Sequence, residues 1–186
     1  MLIDLTLPLK NDDPFLEHFA LAKSGHLGTH IDKPVSMPMA IERFISPGRL
    51  IDLSIDDNAG IEEKIVRRAT DIRKSEFVIL HTGCLKRAYG TEAYFDDHPE
   101  LSQKSVELLV SKEPNMIGID APGLARSDRH SEVDRYCEEH GVLVVENMAN
   151  LELVQSAIVC VYCFPINADG CTGLPVRIVV EVQGEH

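Results

Sequence analysis

Within the stretch "GHLGTHIDKPVSMP", residues 25 to 38, two imidazoles and a carboxylate stand at His26, His30 and Asp32. Histidine nitrogens and a carboxylate oxygen are good ligands for a divalent transition metal. A set of only three leaves coordination positions open for water and substrate, which is the pattern of a catalytic rather than a structural metal. A helix explains the spacing poorly: it would stack His26 over His30 but leave Asp32 off that face, and Gly25, Gly28 and Pro34 all disfavour it. In an extended chain His26, Gly28, His30, Asp32, Pro34 and Ser36 project to one side. A straight strand would hold His26 and His30 about 13 Å apart, too far for one ion, so the chain is expected to bend at Gly28. The competing reading makes each histidine a hydrogen-bonded core residue and Asp32 a turn cap.

The elements that must carry these groups can be read along the chain. "LIDLTLPL" at the start, "GRLIDLSI" (48–55), "EFVILHTG" (76–83), "NMIGID", "VLVVEN", "AIVCVYCFPI" and "PVRIVVEV" read as strands. "AGIEEKIVRRATDI" has the spacing of a surface helix, and "LSQKSVELLVSKEP" that of a helix capped by Ser102 and stopped by Pro114. "YGTEAYFDDHPE" reads as a loop, "SEVDRYCEEHG" as a helix closed by Gly141, and "LELVQS" as a short turn or helix. Strands outnumber helices and alternate with them irregularly. The expectation is one α/β domain over residues 1–186, a mixed β-sheet or barrel-like core with helices packed outside.

Composition narrows the partners. The 186-residue chain carries 30 acidic and 18 basic residues, a net charge of −12, with no basic stripe, which argues against nucleic acid. No segment is apolar enough to span a membrane and no basic leader opens the chain, so a cytoplasmic protein acting on a small molecule is expected. The five cysteines make an odd count, against a disulfide framework. Cys160 and Cys163 lie three apart in what reads as a buried strand, facing opposite sides, as core residues rather than a zinc or redox pair. No nucleophile stands out: Ser36 has no elbow around it and Cys84 no identifiable base.

"HLGTHIDKPVS" resembles the signature of the metal-dependent cyclase family, which includes bacterial kynurenine formamidases and isatin hydrolases, written His-x-Gly-Thr-His-x-Asp-x-Pro-x-His. Six of its seven fixed positions are met. "TGC" at 82–84, "YGTEAYFDDHPELS", "MIGIDAPGL", "GVLVVENMANL" and "FPINADGCTGLPVRIVV" resemble further family segments in the same order. The resemblance implies the family's swivelling β/β/α fold and a homo-oligomer, most simply a dimer. It also implies a metal-activated water that attacks an amide, formamide or lactam carbonyl. On matching positions His26, His30 and Asp32 bind the metal, and Glu146 is the carboxylate at the metal centre.

Two positions depart from the pattern. The last motif histidine is Ser36, and the histidine expected twelve residues before Glu146 is Asp134. Both losses fall on the half of the site that holds a second ion in two-metal members. One reading is a hydrolase with one metal ion, zinc or manganese, in which Asp134 or Glu146 moves the proton; carboxylate in place of imidazole favours the harder ion. A second is a member that binds a metal or small molecule and no longer hydrolyses. A third is repair: His130 lies one helical turn before Asp134 and would supply the missing imidazole if the helix begins early, whereas "RSDRHSE" by itself reads as an exposed loop. His81, at a strand end, reads as structural, His98 as a loop residue and His140 as matching a helix C-terminus. An aryl substrate would have few aromatic side chains to meet, among them Phe15, Phe19, Phe44 and Tyr94.

Overall fold

A computed structural model describes residues 1–9, 23–33, 39–55, 59–168 and 170–184. Ser36, Phe15 and Phe19 lie outside the described residues. Among the described residues nine strands form one mixed sheet: β1 (Leu2–Asp4), β2 (His30–Asp32), β3 (Ile45–Ser46), β4 (Gly48–Asp52), β5 (Phe77–His81), β6 (Met116–Ile119), β7 (Leu143–Glu146), β8 (Ile158–Pro165) and β9 (Gly173–Val182). The order is β3-β8-β9-β2-β7-β6-β5-β4, with β1 also paired to β9. From β4 to β7 the pairing is parallel, and from β7 through β2 and β9 to β3 it is antiparallel. β3 and β4 sit at opposite ends of this order, yet only Pro47 separates them in the chain. The sheet therefore curls until it is nearly a closed barrel.

Alternation along the strands sorts side chains into two cores. Phe77 and Ile79 of β5, Leu143 and Val145 of β7, and Ile31 of β2 point into the barrel with Ile178 and Val180 of β9. Val78, Leu80, Ile117 and Val144 point outward and are covered by helices. Helices among the described residues include α1 (Ile61–Ala69), α2 (Cys84–Ala88), α3 (Glu92–Asp96), α4 (Gln103–Val110) and α5 (Asp128–Glu139). Ile65 and Ala69 of α1, Val106 and Leu109 of α4, and Val133 and Cys137 of α5 are buried at helical spacing against that outer face. Ser102 caps α4 as expected, its hydroxyl accepting from the Ser105 amide.

Three expectations change and one element is new. The segment read as a loop after Gly90 contains α3, held by the wholly buried Tyr94. α2 begins at Cys84 directly after β5. α5 starts at Asp128 rather than Ser131, so His130 lies in a helix and is not a loop residue. β8 is only partly buried: Val161 and Cys163 enter the barrel core, but Val159 is 49% and Phe164 44% exposed.

No disulfide joins any of the five cysteines. Cys163 is buried in the barrel and Cys160 half-buried on the opposite side of β8. Burial pushes the Cys84 thiol up to about 11 and that of Cys137 up to about 12, with the charges of Asp120 and Asp134 respectively adding to the effect. Burial alone raises Cys163 further. A thiol-reactive disulfide reagent at pH 8 should therefore modify Cys160 and Cys171 first in the native protein, and all five after unfolding in urea. Fast native modification of Cys84, mapped by mass spectrometry, would contradict this packing.

Candidate metal centre

The site forms where the parallel half of the sheet meets the antiparallel half. β2 is three residues long and hydrogen-bonded on both sides, to β7 and to β9. Its central residue, Ile31, enters the barrel core, so His30 and Asp32 face outward beneath α5. The register sets His30 opposite Glu146, the last residue of β7, and Asp32 opposite Val144. On α5, His130, Val133, Asp134 and Cys137 follow the spacing of one helical face. Val133 and Cys137 join the core, and His130 and Asp134 turn toward the two strands.

The expected bend is present: Gly28 adopts φ +58°, and the three-residue strand starts only at His30. The Gly28 carbonyl accepts from His30 Nδ1 at 2.8 Å and from the Asn147 side-chain amide at 3.0 Å. A carbonyl can only accept, so Nδ1 of His30 carries the proton and Nε2 offers a lone pair to the site. His26 Nε2 lies 2.9 Å from the Thr172 hydroxyl, leaving Nδ1 to face inward. His26 Nδ1, His30 Nε2 and Asp32 Oδ1 are mutually 3.1 Å apart.

A second group lies alongside. His130 Nε2 is 3.0 Å from Asp134 Oδ2, 3.6 Å from Glu146 Oε1 and 3.9 Å from Asp32 Oδ2. Glu146 turns its other oxygen, Oε2, to within 3.5 Å of His30 Nε2. Burial would raise Asp32, but the imidazoles of His130, His26 and His30 outweigh it and hold its carboxyl well below the ordinary range. Burial raises Glu146 well above that range, with the charge of Asp32 adding to the effect, and raises Asp134 despite His130. Asp134 and then Asp32 push His130 up to about 11 against the opposing effect of burial.

A cavity of about 310 Å³ opens onto the cluster, lined by His26, His30, His130, Glu146, Phe95 and Arg126 among others. Its aromatic wall is Phe95, which sequence reasoning missed because it lies in the unrecognised α3. Tyr94 is instead buried in the core, and Phe44 packs against Phe164 of β8. His98 also lines the cavity and is buried, its ring nitrogens 3.0 and 3.2 Å from the Phe95 and Ala125 carbonyls. His81 stands apart, 3.3 Å from Asp52, and His140 caps the end of α5. Asn147 and Thr172, which orient the two histidines, lie within the segments "GVLVVENMANL" and "FPINADGCTGLPVRIVV", but nothing in the sequence singled them out for that task.

The family model described as "Putative cyclase" matches residues 3–126. The chain belongs to this family. It is 26% identical to a kynurenine formamidase of Bacillus cytotoxicus over 208 aligned positions, covering 96% of each chain. Isatin hydrolase A from Labrenzia aggregata, solved with benzyl benzoate, superposes with a TM-score of 0.78 at 18% identity over 99% of this chain and 94% of its own. The structure of a potential metal-dependent hydrolase with cyclase activity superposes with a TM-score of 0.72 at 18% identity, over 100% of this chain and 99% of its own. These neighbours share the nearly closed mixed sheet with helices outside. The family match ends before His130, Asp134 and Glu146, so the roles of those residues rest on geometry.

The residues present suit the metal that such a cyclase-family site implies. Asp32 Oδ1, Asp134 Oδ1 and Glu146 Oε1 are buried without a hydrogen-bond partner in the chain, a cost that a bound cation would relieve. Ligands of a tetrahedral ion at about 2.1 Å lie roughly 3.4 Å from one another, close to the 3.1 Å spacing of the His26, His30 and Asp32 donor atoms.

Asn147 is the orienting residue most open to test. It is wholly buried at φ +57°, donates to the Gly28 carbonyl and accepts from the Tyr94 hydroxyl. Asn147→Ala leaves that hydroxyl and carbonyl short of partners and places alanine in a left-handed conformation. It should cost about 1–3 kcal/mol in urea unfolding. An unchanged midpoint would show that this clamp does not hold the Gly28 bend.

Proposed function

We propose that this chain is a metal-dependent hydrolase of C–N bonds in a small amide, formamide or lactam, similar in activity to the kynurenine formamidase that it resembles. The observation that carries the reading is the mutual 3.1 Å spacing of the His26, His30 and Asp32 donors, with both histidines lining a cavity of about 310 Å³. That volume is at the lower end of small-ligand pockets. His26, His30 and Asp32 would hold a divalent ion, zinc or manganese. When bound, such an ion polarises a carbonyl and makes water a competent nucleophile near neutral pH.

The chain's own groups supply the rest. Thr172 and the Gly28 carbonyl fix both imidazoles so that each presents one nitrogen inward. With a single ion bound, Glu146, Asp134 and His130 are the groups in reach to take a proton from the nucleophile and deliver it to the departing nitrogen. Phe95 offers one aromatic face to an aryl substituent on the cavity side. Soluble cytoplasmic action fits this reading; among the described residues no helix is long and apolar enough to cross a membrane. A homo-oligomer, most simply a dimer, is part of the same proposal.

The test pairs elemental analysis of untagged protein with formate release from N-formylkynurenine. We expect bound zinc or manganese and metal-dependent turnover, with His30→Ala lowering kcat/KM by at least about 100-fold. Bound metal without turnover of any formamide or lactam would leave a non-catalytic binding protein of the same fold.

A further inference from the structure

We propose that His130, delivered from the first turn of α5, completes a second divalent-cation position with Asp32, Asp134 and Glu146. The proposal rests on the metal-dependent reading above and goes beyond its single ion. In the cyclase-family pattern, the histidine expected on this side lies twelve residues before the glutamate, where this chain has Asp134. The imidazole instead arrives from one helical turn earlier, with Nε2 3.0 Å from Asp134 Oδ2. The donor atoms of these four residues all lie within 4.8 Å of one another.

Three features separate this arrangement from a surface ion pair. Asp32 and Glu146, only 6% and 4% exposed, each retain an oxygen without a hydrogen-bond partner. Both carboxylates also straddle the two positions. Asp32 turns Oδ1 to His26 and His30 and Oδ2 to His130, and Glu146 turns Oε2 to His30 and Oε1 to His130. Finally, the His130 ring is oriented as His30 is: its Nδ1 lies 3.3 Å from the Ala125 carbonyl, which leaves Nε2 facing the carboxylates. Gly123 makes room for that ring, since a side chain there would collide with Nδ1 and Cε1 of His130.

Chelator-stripped protein is equilibrated with manganese or zinc, freed of excess by gel filtration, and its metal counted per chain. Wild type should bind two ions. His130→Ala should bind one, as should Gly123→Ala, which displaces the ring without removing a donor. Circular dichroism identifies the variants that remain folded. His30→Ala reports on the first position separately. A wild-type count of one, lost in His30→Ala and unaffected by His130→Ala, would overturn the second position and leave the hydrolase reading standing. Two ions retained in folded His130→Ala would remove His130 as a ligand, and loss of both would mean one shared position. No ion in any form would overturn both proposals.

Discussion

Three carboxylates, Asp32 and Glu146 buried on the strands and Asp134 half-buried on the helix above them, converge at one place, and the rest of the structure has to accommodate that concentration of charge. Two like charges about 4 Å apart repel by on the order of 4 kcal/mol at an effective dielectric of 20. The protein answers in two ways. Imidazoles of His26, His30 and His130 surround Asp32 and keep it ionised, whereas Glu146 and Asp134 are driven toward their protonated forms. Neither response gives the orphaned oxygens a partner within the chain, which is the arrangement that a bound cation would complete.

The fold can carry this burden because the two faces of β2 have different tasks. Ile31 anchors the strand in the barrel core, with Val145 and Leu174 as its neighbours on either side. His30 and Asp32, one residue to each side, are therefore fixed by backbone pairing to both β7 and β9 and need no support from a loop. α5 is held over them by Val133 and Cys137, one helical turn from the groups that it contributes. A shift of one residue in the β2 register would send Ile31 outward and both ligands into the core, so hydrophobic burial itself specifies the donor geometry.

Much of this was legible in the sequence, and the reasons differ by segment. The spacing of His26, His30 and Asp32 around a glycine required a bend, and the bend is there because only a residue free to take φ +58° keeps the Gly28 carbonyl on His30. The longer strands and α1, α4 and α5 announced themselves by apolar periodicity. The first turn of α5 did not, because Asp128, Arg129 and His130 contain no apolar residue. α2 and α3, five residues each, are shorter than any periodic window, and burial of Tyr94 rather than local propensity holds α3 in place. With α3 unrecognised, Phe95 went unseen as the aromatic wall of the cavity.

The exchange at position 134 shows why a motif read residue by residue can misstate a site. Taken alone, aspartate in place of histidine adds a negative charge and removes a nitrogen donor, which suggests a degraded half-site. In the folded chain position 130 is stacked one turn before it on the same helix face, and the pair together presents both an imidazole and a carboxylate. The nitrogen donor is displaced by four residues along the sequence yet remains within 3.6 Å of the carboxylate of Glu146. Relative to a histidine at 134, the local change is then a gain of one carboxylate, with no imidazole lost. Such a donor set suits a harder divalent ion than the two-histidine set beside it, so the same substitution that looks like decay in the sequence would alter which cation the centre prefers.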